Sequence, residues 1–371
     1  MKPLFWISTA IITWTYLGYP LWLYVRRSWR GKPVQRAPFT PPVSIVLAVR
    51  NEAANLPRKL DNLFALDYPP DRFEIIVVSD GSTDPTPELL QSLAGEKLKA
   101  AVIPHHVGKA EAINCAAGMA CGEILVFTDA RQMIEPQALK NLLMNFADPS
   151  VGCVSGELIL ETGDGAHQEG VGLYWRLEKK IREWESETGS VVGATGAFYA
   201  VRRELVPALA PGTILDDVFI PVSVARAGKR VLFEASARAH DNLPAESARE
   251  FNRKVRTLTG NYQLVQLAPW LLGPGNPLWL EYITHKFLRL IVPFALAGAL
   301  ASSLLLDGLV YRVAAVLQLL FYASAALALV RMQMGAIGRL GRVAYSFLLL
   351  NSAAVVALVN FLTGKKQVWV R

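Results

Sequence analysis

Apolar runs crowd the two ends of this chain, and between them short apolar bursts alternate with amphipathic stretches. Residues 4–25 read LFWISTAIITWTYLGYPLWLYV without one charge, and a helix needs roughly 20 apolar residues to cross a bilayer. Trp and Tyr fall towards the edges of this run, where amphipathic rings are at home in a membrane interface. Three further apolar stretches, at about residues 287–306, 309–330 and 343–362, predict three more spanning helices by the same length argument. In the interior, residues 43–49 (VSIVLAV), 74–78 (EIIVV), 100–103 (AAVI) and 124–128 (ILVFT) are short apolar runs with helical patterns between them. Such runs read as buried strands of a largely parallel sheet. From Ser247 to Leu267 the period changes. Phe251, Val255, Leu258, Tyr262 and Val265 recur at steps of three and four, which predicts a helix with one apolar face. Residues 262–282, rich in Trp, Pro and Gly, read as a segment lying on the membrane.

Composition sharpens this picture. The 371 residues are 52% hydrophobic and carry a net charge of +7. A basic surplus is one mark of nucleic-acid binding, but here the cations track the apolar segments. Arg26, Arg27, Arg30, Lys32 and Arg36 follow the first run; Arg331, Arg339 and Arg342 separate the last two. The positive-inside rule then puts residue 26 onward and that loop in the cytoplasm, and no nucleic-acid partner is expected. The length of the first run, and a basic cluster after rather than before it, weaken a signal-peptide reading. One span before the interior and three after it put the tail outside, whereas Lys365, Lys366 and Arg371 pull it inside; the two signals oppose each other. Cys115, Cys121 and Cys153 are odd in number and lack CxxC spacing, so reduced buried thiols are expected rather than a disulfide or zinc site. The expected organisation is an N-terminal span (1–26), a basic and Pro-rich linker (27–42), a cytoplasmic α/β domain (43–245), basic amphipathic and interfacial helices (246–284) and about three C-terminal spans (285–371). That describes an integral membrane protein, with the bacterial inner membrane as its expected location.

Ligands of parallel sheets bind outside the carboxyl ends of the strands. The polar clusters at those ends are Arg50-Asn51-Glu52, Ser79-Asp80-Gly81-Ser82-Thr83-Asp84 and Asp129-Ala130-Arg131. No GxxxxGK[ST] loop, no GxGxxG after the first strand and no GxSxG elbow occur, which disfavours P-loop, dinucleotide and α/β-hydrolase chemistry. Acids at strand ends remain, as a nucleotide with a divalent cation needs. Asp80 reads as an acceptor for a base or ribose donor, or as a turn residue, since Asp-Gly-Ser-Thr-Asp is turn chemistry. Asp129 can bind Mg2+ or Mn2+ bridging diphosphate oxygens, or serve as a helix cap. The five histidines have no metal-ligand spacing; His105-His106 reads as a surface turn and His285 as juxtamembrane.

At this point the motifs, taken in order, resemble a known family. VSIVLAVRNEAANLPRKLDNL, EIIVVSDGSTD, GKAEAIN and ILVFTDA, then GATGAFYAVRREL (193–205), ILDDVFIPV (214–222) and RKVRTLTGN (253–261), resemble the family 2 glycosyltransferases of GT-A fold. The resemblance is closest to the membrane-integrated branch of cellulose, hyaluronan and poly-N-acetylglucosamine synthases. It implies an α/β, GT-A-type nucleotide-diphospho-sugar transferase domain with a mostly parallel central sheet, flanked by transmembrane helices. It further implies a membrane-bound inverting enzyme that moves a sugar from a nucleotide-sugar, a UDP-sugar in many relatives, to a glycan or lipid acceptor, polysaccharide synthesis included. Carried over by position, Arg50 and Glu52 border the nucleobase pocket, Asp80 recognises the base, and Lys109 lies near the donor. Asp129 is the first carboxylate of the DxD metal motif, for Mg2+ or Mn2+. Asp217 is the catalytic base, with Asp216 beside it, and Arg253 and Arg256 stand where the family has QxxRW. His240 falls beside the acceptor groove. Two departures matter. Arg131 replaces the second metal carboxylate, which sets it towards the diphosphate itself and puts metal dependence in question. The QxxRW segment reads RKVRT, and loss of its Gln and Trp speaks against processive synthesis.

Glycosyl transfer needs a base for the acceptor hydroxyl and cations for the departing diphosphate. Asp216-Asp217 supplies the one, or else is merely a solvated helix start. Arg249, Arg253 and Arg256, three or four apart, supply the other through forked guanidinium contacts, or rest on anionic lipid. A single-addition glycolipid transferase needs the same donor site but no channel. A nucleotide-sugar-binding scaffold without turnover is the rival from another class; it has no need of Asp217.

Overall fold

The computed structural model describes residues 1–161, 168–242, 247–330 and 335–364. The expectations for Arg331, for the tail from Lys365 to Arg371 and for the side chains of Arg249 and Arg339 lie outside the described residues.

The chain begins as one long helix made of α1 (Lys2–Thr13), a π turn (Trp14–Gly18) and α2 (Tyr19–Arg30). The π turn falls just before Pro20, which has no N–H to close an i→i−4 bond. Phe5, Ser8, Thr15, Tyr19 and Leu23 are buried while Trp6, Ile7, Leu17 and Leu21 are exposed, so this helix has apolar residues on its outer side as well as its inner one. At Gly298 an added Cβ would lie 2.9 Å from Ser8 Oγ. A small residue there permits the close helix approach common between membrane helices.

The interior alternates strands and helices: β1 (Val43–Val49), α3 (Leu56–Phe64), β2 (Phe73–Asp80), α4 (Thr86–Leu93), β3 (Leu98–Ile103), α5 (Lys109–Met119), β4 (Ile124–Thr128), β5 (Met133–Ile134), α6 (Ala138–Leu143), β6 (Val151–Glu161), α7 (Gln168–Thr188), β7 (Phe198–Arg202), α8 (Asp216–Arg226) and β8 (Arg230–Asn242). They form one mixed sheet in the order β3-β2-β1-β4-β7-β6-β8-β5. β1 runs parallel to β2 and β4, β2 to β3, and β6 to β8. β7 is antiparallel to both its neighbours, and β5 to β8. Alternate residues of the central strands serve opposite faces. Ile45, Leu47, Ile75 and Val77 pack with Leu56, Leu60 and Leu63 of α3, and Val46, Ile76 and Val78 pack with Ile113 and Ala116 of α5. Burial on both faces is why these strands read as unbroken apolar runs. In register, Val49 stands beside Ser79, and Val46 beside Phe127. The turns after β1, β2 and β4 therefore open on one edge of the sheet.

Beyond the sheet come α9 (Ser247–Leu267), a 3-10 turn (Pro269–Leu272), α10 (Trp279–Tyr282), a second π turn (Ile283–Phe287), α11 (Leu288–Leu305), α12 (Leu309–Val330) and α13 (Gly335–Leu362). The apolar face of α9 meets α13 through Val255 against Ala353 and Ala357, with Phe251, Leu258 and Tyr262 packed around them. Among the described residues, three helices are long and apolar enough to cross a membrane: Trp279–Leu305, Leu309–Ala328 and Gly341–Leu362. The N-terminal helix is not one of them, because its Ser, Thr, Tyr and Trp residues lower its hydropathy.

Candidate active site

Asp80 ends β2 and is wholly buried. Its Oδ1 accepts the Val107 N–H at 2.8 Å, and its Oδ2 accepts the Gly108 N–H at 3.0 Å and faces His106 Nδ1 at 2.7 Å. The carboxylate thus fastens the 106–108 loop so that α5 starts at Lys109. His106, expected in a surface turn, is one of the clasps. Gly81 completes the joint. Its φ is +57°, and a Cβ there would lie 2.3 Å from the His106 nitrogen, a backbone atom that cannot swing aside. Gly81→Ala is therefore expected to destabilise the fold by at least about 2 kcal/mol. Gly95→Ala, which meets nothing within 4 Å, is the control in the same thermal melt and stays near wild type.

The turn after β1 locks onto this one. Asn51 has φ 56°; its Oδ1 accepts the Thr83 N–H at 2.8 Å and its own N–H donates to Ser82 Oγ at 3.1 Å. The Glu52 N–H donates to Thr86 Oγ1 at 3.0 Å, and the Glu52 carboxylate accepts Asn55 Nδ2 at 2.7 Å. Arg50 is half-buried, and its Nε is buried with no hydrogen-bond partner among the described residues. Arg50, Glu52 and Asp80 therefore occupy one shelf at the sheet edge.

Beside it lies the charged centre. Lys109 Nζ sits 3.2 Å from Asp129 Oδ1 and 3.4 Å from Asp216 Oδ1. Burial opposes its charge, but Asp129, Asp216 and Asp217 outweigh burial and hold the ammonium above the ordinary lysine range. Asp216, in the first turn of α8, is 4% exposed, and its Oδ2 has no partner among the described residues. Its neighbour Asp217 is pushed up to about 6 by burial and by the Asp216 charge, while Lys109 and Lys286 pull the other way. The glycine-rich segment at 193–196 packs directly on Asp217. The Ala194 N–H donates to the Asp217 carbonyl at 2.7 Å, and a Cβ at Gly196 would stand 3.1 Å from Asp217 Oδ2. Arg256, half-buried on α9, is near enough for its charge to act on Lys109. Arg253 lies one turn earlier, also half-buried, and Arg131 is exposed just beyond Asp129. His240 faces Glu135 at 2.9 Å.

Three cations near this centre escaped the sequence reading. Lys59 is fully buried and donates to Thr128 Oγ1 at 2.9 Å and to the Gln132 carbonyl at 2.6 Å, closing both ends of the turn that bears Asp129 and Arg131. Burial lowers its ammonium to about 7, against the pull of Asp129. A signal existed: Leu56, Lys59, Leu60 and Leu63 fall at i, i+3, i+4 and i+7, so Lys59 lies on the apolar stripe. Arg182 of α7 and Lys286 of the second π turn had no such signal.

Residues Asp129 and Arg131 also decide what metal the centre suits. Among the described residues no group of three His, Cys, Asp or Glu side chains gathers to cage a cation. Mg2+ and its kin do not require a cage; one carboxylate plus substrate phosphates and water suffices. Asp129, on the open sheet edge, fits that mode.

A mixed sheet with its polar turns on one edge, an acidic pair at a helix start and helices long enough to cross a membrane alongside is an arrangement of GT-A type. Over 98% of this chain and 99% of the other, the fold matches the mannosyltransferase PcManGT from Pyrobaculum calidifontis, solved in complex with GDP-Man and Mn2+, with a TM-score of 0.71 at 24% identity. Residues 44–209 match the family described as Glycosyl transferase family 2, so this stretch is a domain of that family. Curated relatives include the beta-monoglucosyldiacylglycerol synthases of Synechocystis sp., 25% identical across 59% of this chain and 49% of the relative, and of Nostoc sp., 34% identical across 48% and 40%. The poly-beta-1,6-N-acetyl-D-glucosamine synthase of Staphylococcus aureus is 24% identical across 65% and 60%. The matched region thus spans about half the length of these relatives.

Proposed function

We propose that the chain transfers a sugar from a nucleoside-diphosphate sugar, UDP-sugars being the first class to try, to a hydroxyl of a lipid or glycan acceptor at the membrane, with inversion at the anomeric carbon. The observation that carries this reading is Asp217, a carboxyl raised to about 6 and seated against the 193–196 segment. A general base works best with a pKa near the operating pH. In this role Asp217 takes the acceptor proton as the acceptor oxygen attacks and the bond to the diphosphate breaks. Arg50, Glu52 and the loop held by Asp80 form the shelf for the nucleotide. Lys109, Arg131, Arg253 and Arg256 supply fixed positive charge for the leaving diphosphate. Asp129 would hold a Mg2+ or Mn2+ ion that comes with the donor, and such an ion would supply Lewis-acid charge for the leaving diphosphate.

The helix that bears the base rests on the membrane segment: Leu215, Val218 and Val222 pack with Leu264, Leu271 and Tyr282. An acceptor carried in the bilayer is therefore within reach of Asp217. The basic run from Arg26 to Arg36 favours a cytoplasmic active site, in a bacterium at the inner membrane. Relatives include both glycolipid and polymer synthases, and the absence of a Trp after Arg256 supports addition of one or a few sugars.

The test is nucleotide release by the chain in nanodiscs, with a panel of UDP-, GDP- and dTDP-sugars, lipid extract as acceptor, and product length read by mass. One donor is expected to support release. Tight donor binding with no release from any member would instead make the chain a binding scaffold. With a single metal carboxylate, Mn2+ should bind the protein alone weakly and at least about tenfold more tightly once nucleoside diphosphate is present. Titration calorimetry reads this directly, and equal affinity in both conditions would reject the donor-borne cation.

A further inference from the structure

Glu178, Arg182 and Glu185 stand at steps of four and three on α7 and so share one face of that helix. The two acids grip the N-terminal helix and the helix Trp279–Leu305. Glu185 Oε1 accepts the Tyr19 hydroxyl of α2 at 2.6 Å and faces His285 Nδ1 at 2.7 Å. Glu178 Oε1 faces His285 Nε2 at 2.6 Å, and its Oε2 accepts Arg289 Nη1 at 2.8 Å. Burial opposes the Glu178 charge, yet Arg289 and His285 hold its carboxyl well below the usual range. His285, expected merely beside the membrane, is the buried link between the two acids.

Arg182, between them, reaches the other way. Its Nη1 donates to Thr195 Oγ1 at 2.7 Å; its Nη2 donates to Ser155 Oγ at 2.7 Å and to the Gly193 carbonyl at 3.3 Å. Ser155 Oγ also accepts the Thr195 N–H at 2.9 Å, and the guanidinium lies 4.6 Å from the Phe233 ring centre. The bonds to Thr195 and Gly193, together with Ser155 bridging Arg182 and Thr195, fix the 193–196 segment, which is the segment bonded to Asp217.

We propose that Arg182 is a positioning residue for the catalytic base: its fork holds the 193–196 segment against Asp217, at a station set by the grip of α7 on the N-terminal helix and the helix Trp279–Leu305. This rests on the reading of Asp217 as the base. A lysine cannot reproduce the fork, because a single ammonium does not span the Ser155 and Thr195 oxygens with fixed planar geometry. Displacement of a reacting group by about 1 Å can cost 100-fold in rate.

The test compares Arg182→Met and Arg182→Lys with the full chain in nanodiscs. The expected result is a kcat lower by about 100-fold for Met, with donor KM within about threefold and only partial recovery in Lys. Asp217 is faced by Asp216 on its own helix, Lys109 on α5, Asp129 after β4, Lys286 in the π turn and Arg182 on α7. Removing the Arg182 cation lets the Asp217 carboxyl climb further, so the acid limb of the pH–rate profile moves up. Hydrogen exchange, which needs no turnover, should quicken at residues 193–197 and stay unchanged at 106–109. Unchanged kcat and pH limb would overturn the proposal, as would donor affinity falling in step with kcat, the mark of general unfolding. Should Arg182→Met fail to fold, Ser155→Ala with Thr195→Val removes the two hydroxyl acceptors and keeps the cation; it should lower kcat and quicken exchange at residues 193–197, and neither change there also overturns the proposal. A wild-type chain that releases no nucleotide would sink the transfer reading, whereas the exchange pattern would still decide whether Arg182 holds the segment.

Discussion

Asp217→Asn is expected to lower kcat by about 1,000-fold while leaving nucleotide affinity close to wild type. The amide keeps the size of the carboxyl, and the Ala194 bond to the Asp217 backbone carbonyl is untouched, so the site stays built. What disappears is the ability to take a proton. The pH dependence checks the same assignment. A base must be ionised to act, so wild-type kcat/KM should rise as pH climbs through about 6 and level off above it, since burial and Asp216 raise this carboxyl to about that value. The mutant should lack this limb. A variant that keeps a tenth of wild-type turnover would move the base elsewhere.

Lys109→Met should have the next largest effect, and chiefly on stability. One ammonium now serves Asp129 and the nearly buried Asp216. Removing it leaves two carboxylates facing each other, with the buried one unpaired on both oxygens. Breaking a buried pair from one side costs roughly 3–5 kcal/mol; with the Lys109 side chain 22% exposed, about 3 kcal/mol is the expected loss. Asp216→Asn in the same background should recover part of it, because the two substitutions share one interaction and are not additive. Denaturant titration of the four variants reads the coupling. Lys109 also restrains the Asp217 carboxyl, so the acid limb of the rate profile should shift to higher pH in Lys109→Met. A shift to lower pH would contradict the charge arrangement.

The parts of the fold legible in the sequence are those where one environment surrounds a whole element. The strands β1, β2 and β4 are covered on both faces, so nearly every residue in them is apolar, whereas β3, at the sheet edge, is mostly half-buried with Val102 exposed. The strands β6 and β8 are not legible in that way: VGCVSGELILE and RVLFEASARAHDN mix polar and apolar residues, and their pairing slips register after Val151 and after Ser155. The helix over Ser247–Leu267 was plain from its stripe, which meets α13. At the site, position alone marked the three polar turns, since parallel strands must end on one edge. The double reading of Asp80 as ligand contact or turn residue reflects what short Asp motifs share; its two oxygens are committed to the 106–108 loop. Lys59 was readable in principle from helical spacing. Arg182 was not, because Ser155 and Thr195 reach it from segments distant in sequence. Of the three thiols expected to be buried, Cys153 is, Cys115 is half-buried and Cys121 is exposed beside Lys99, at 3.3 Å from its ammonium. Nothing in the spacing of cysteines encodes that difference.

The most direct measurement is the ratio of sugar incorporated to nucleotide released, using donor labelled in the sugar, with wild type and Asp217→Asn in the same nanodiscs and with the same lipid extract. The account predicts one sugar in a lipid or glycan product for each nucleotide released by wild type, and neither above background in Asp217→Asn. Nucleotide release without labelled product would mean hydrolysis rather than transfer. Equal product from both proteins would place the chemistry outside the centre formed by Lys109, Asp129, Asp216 and Asp217.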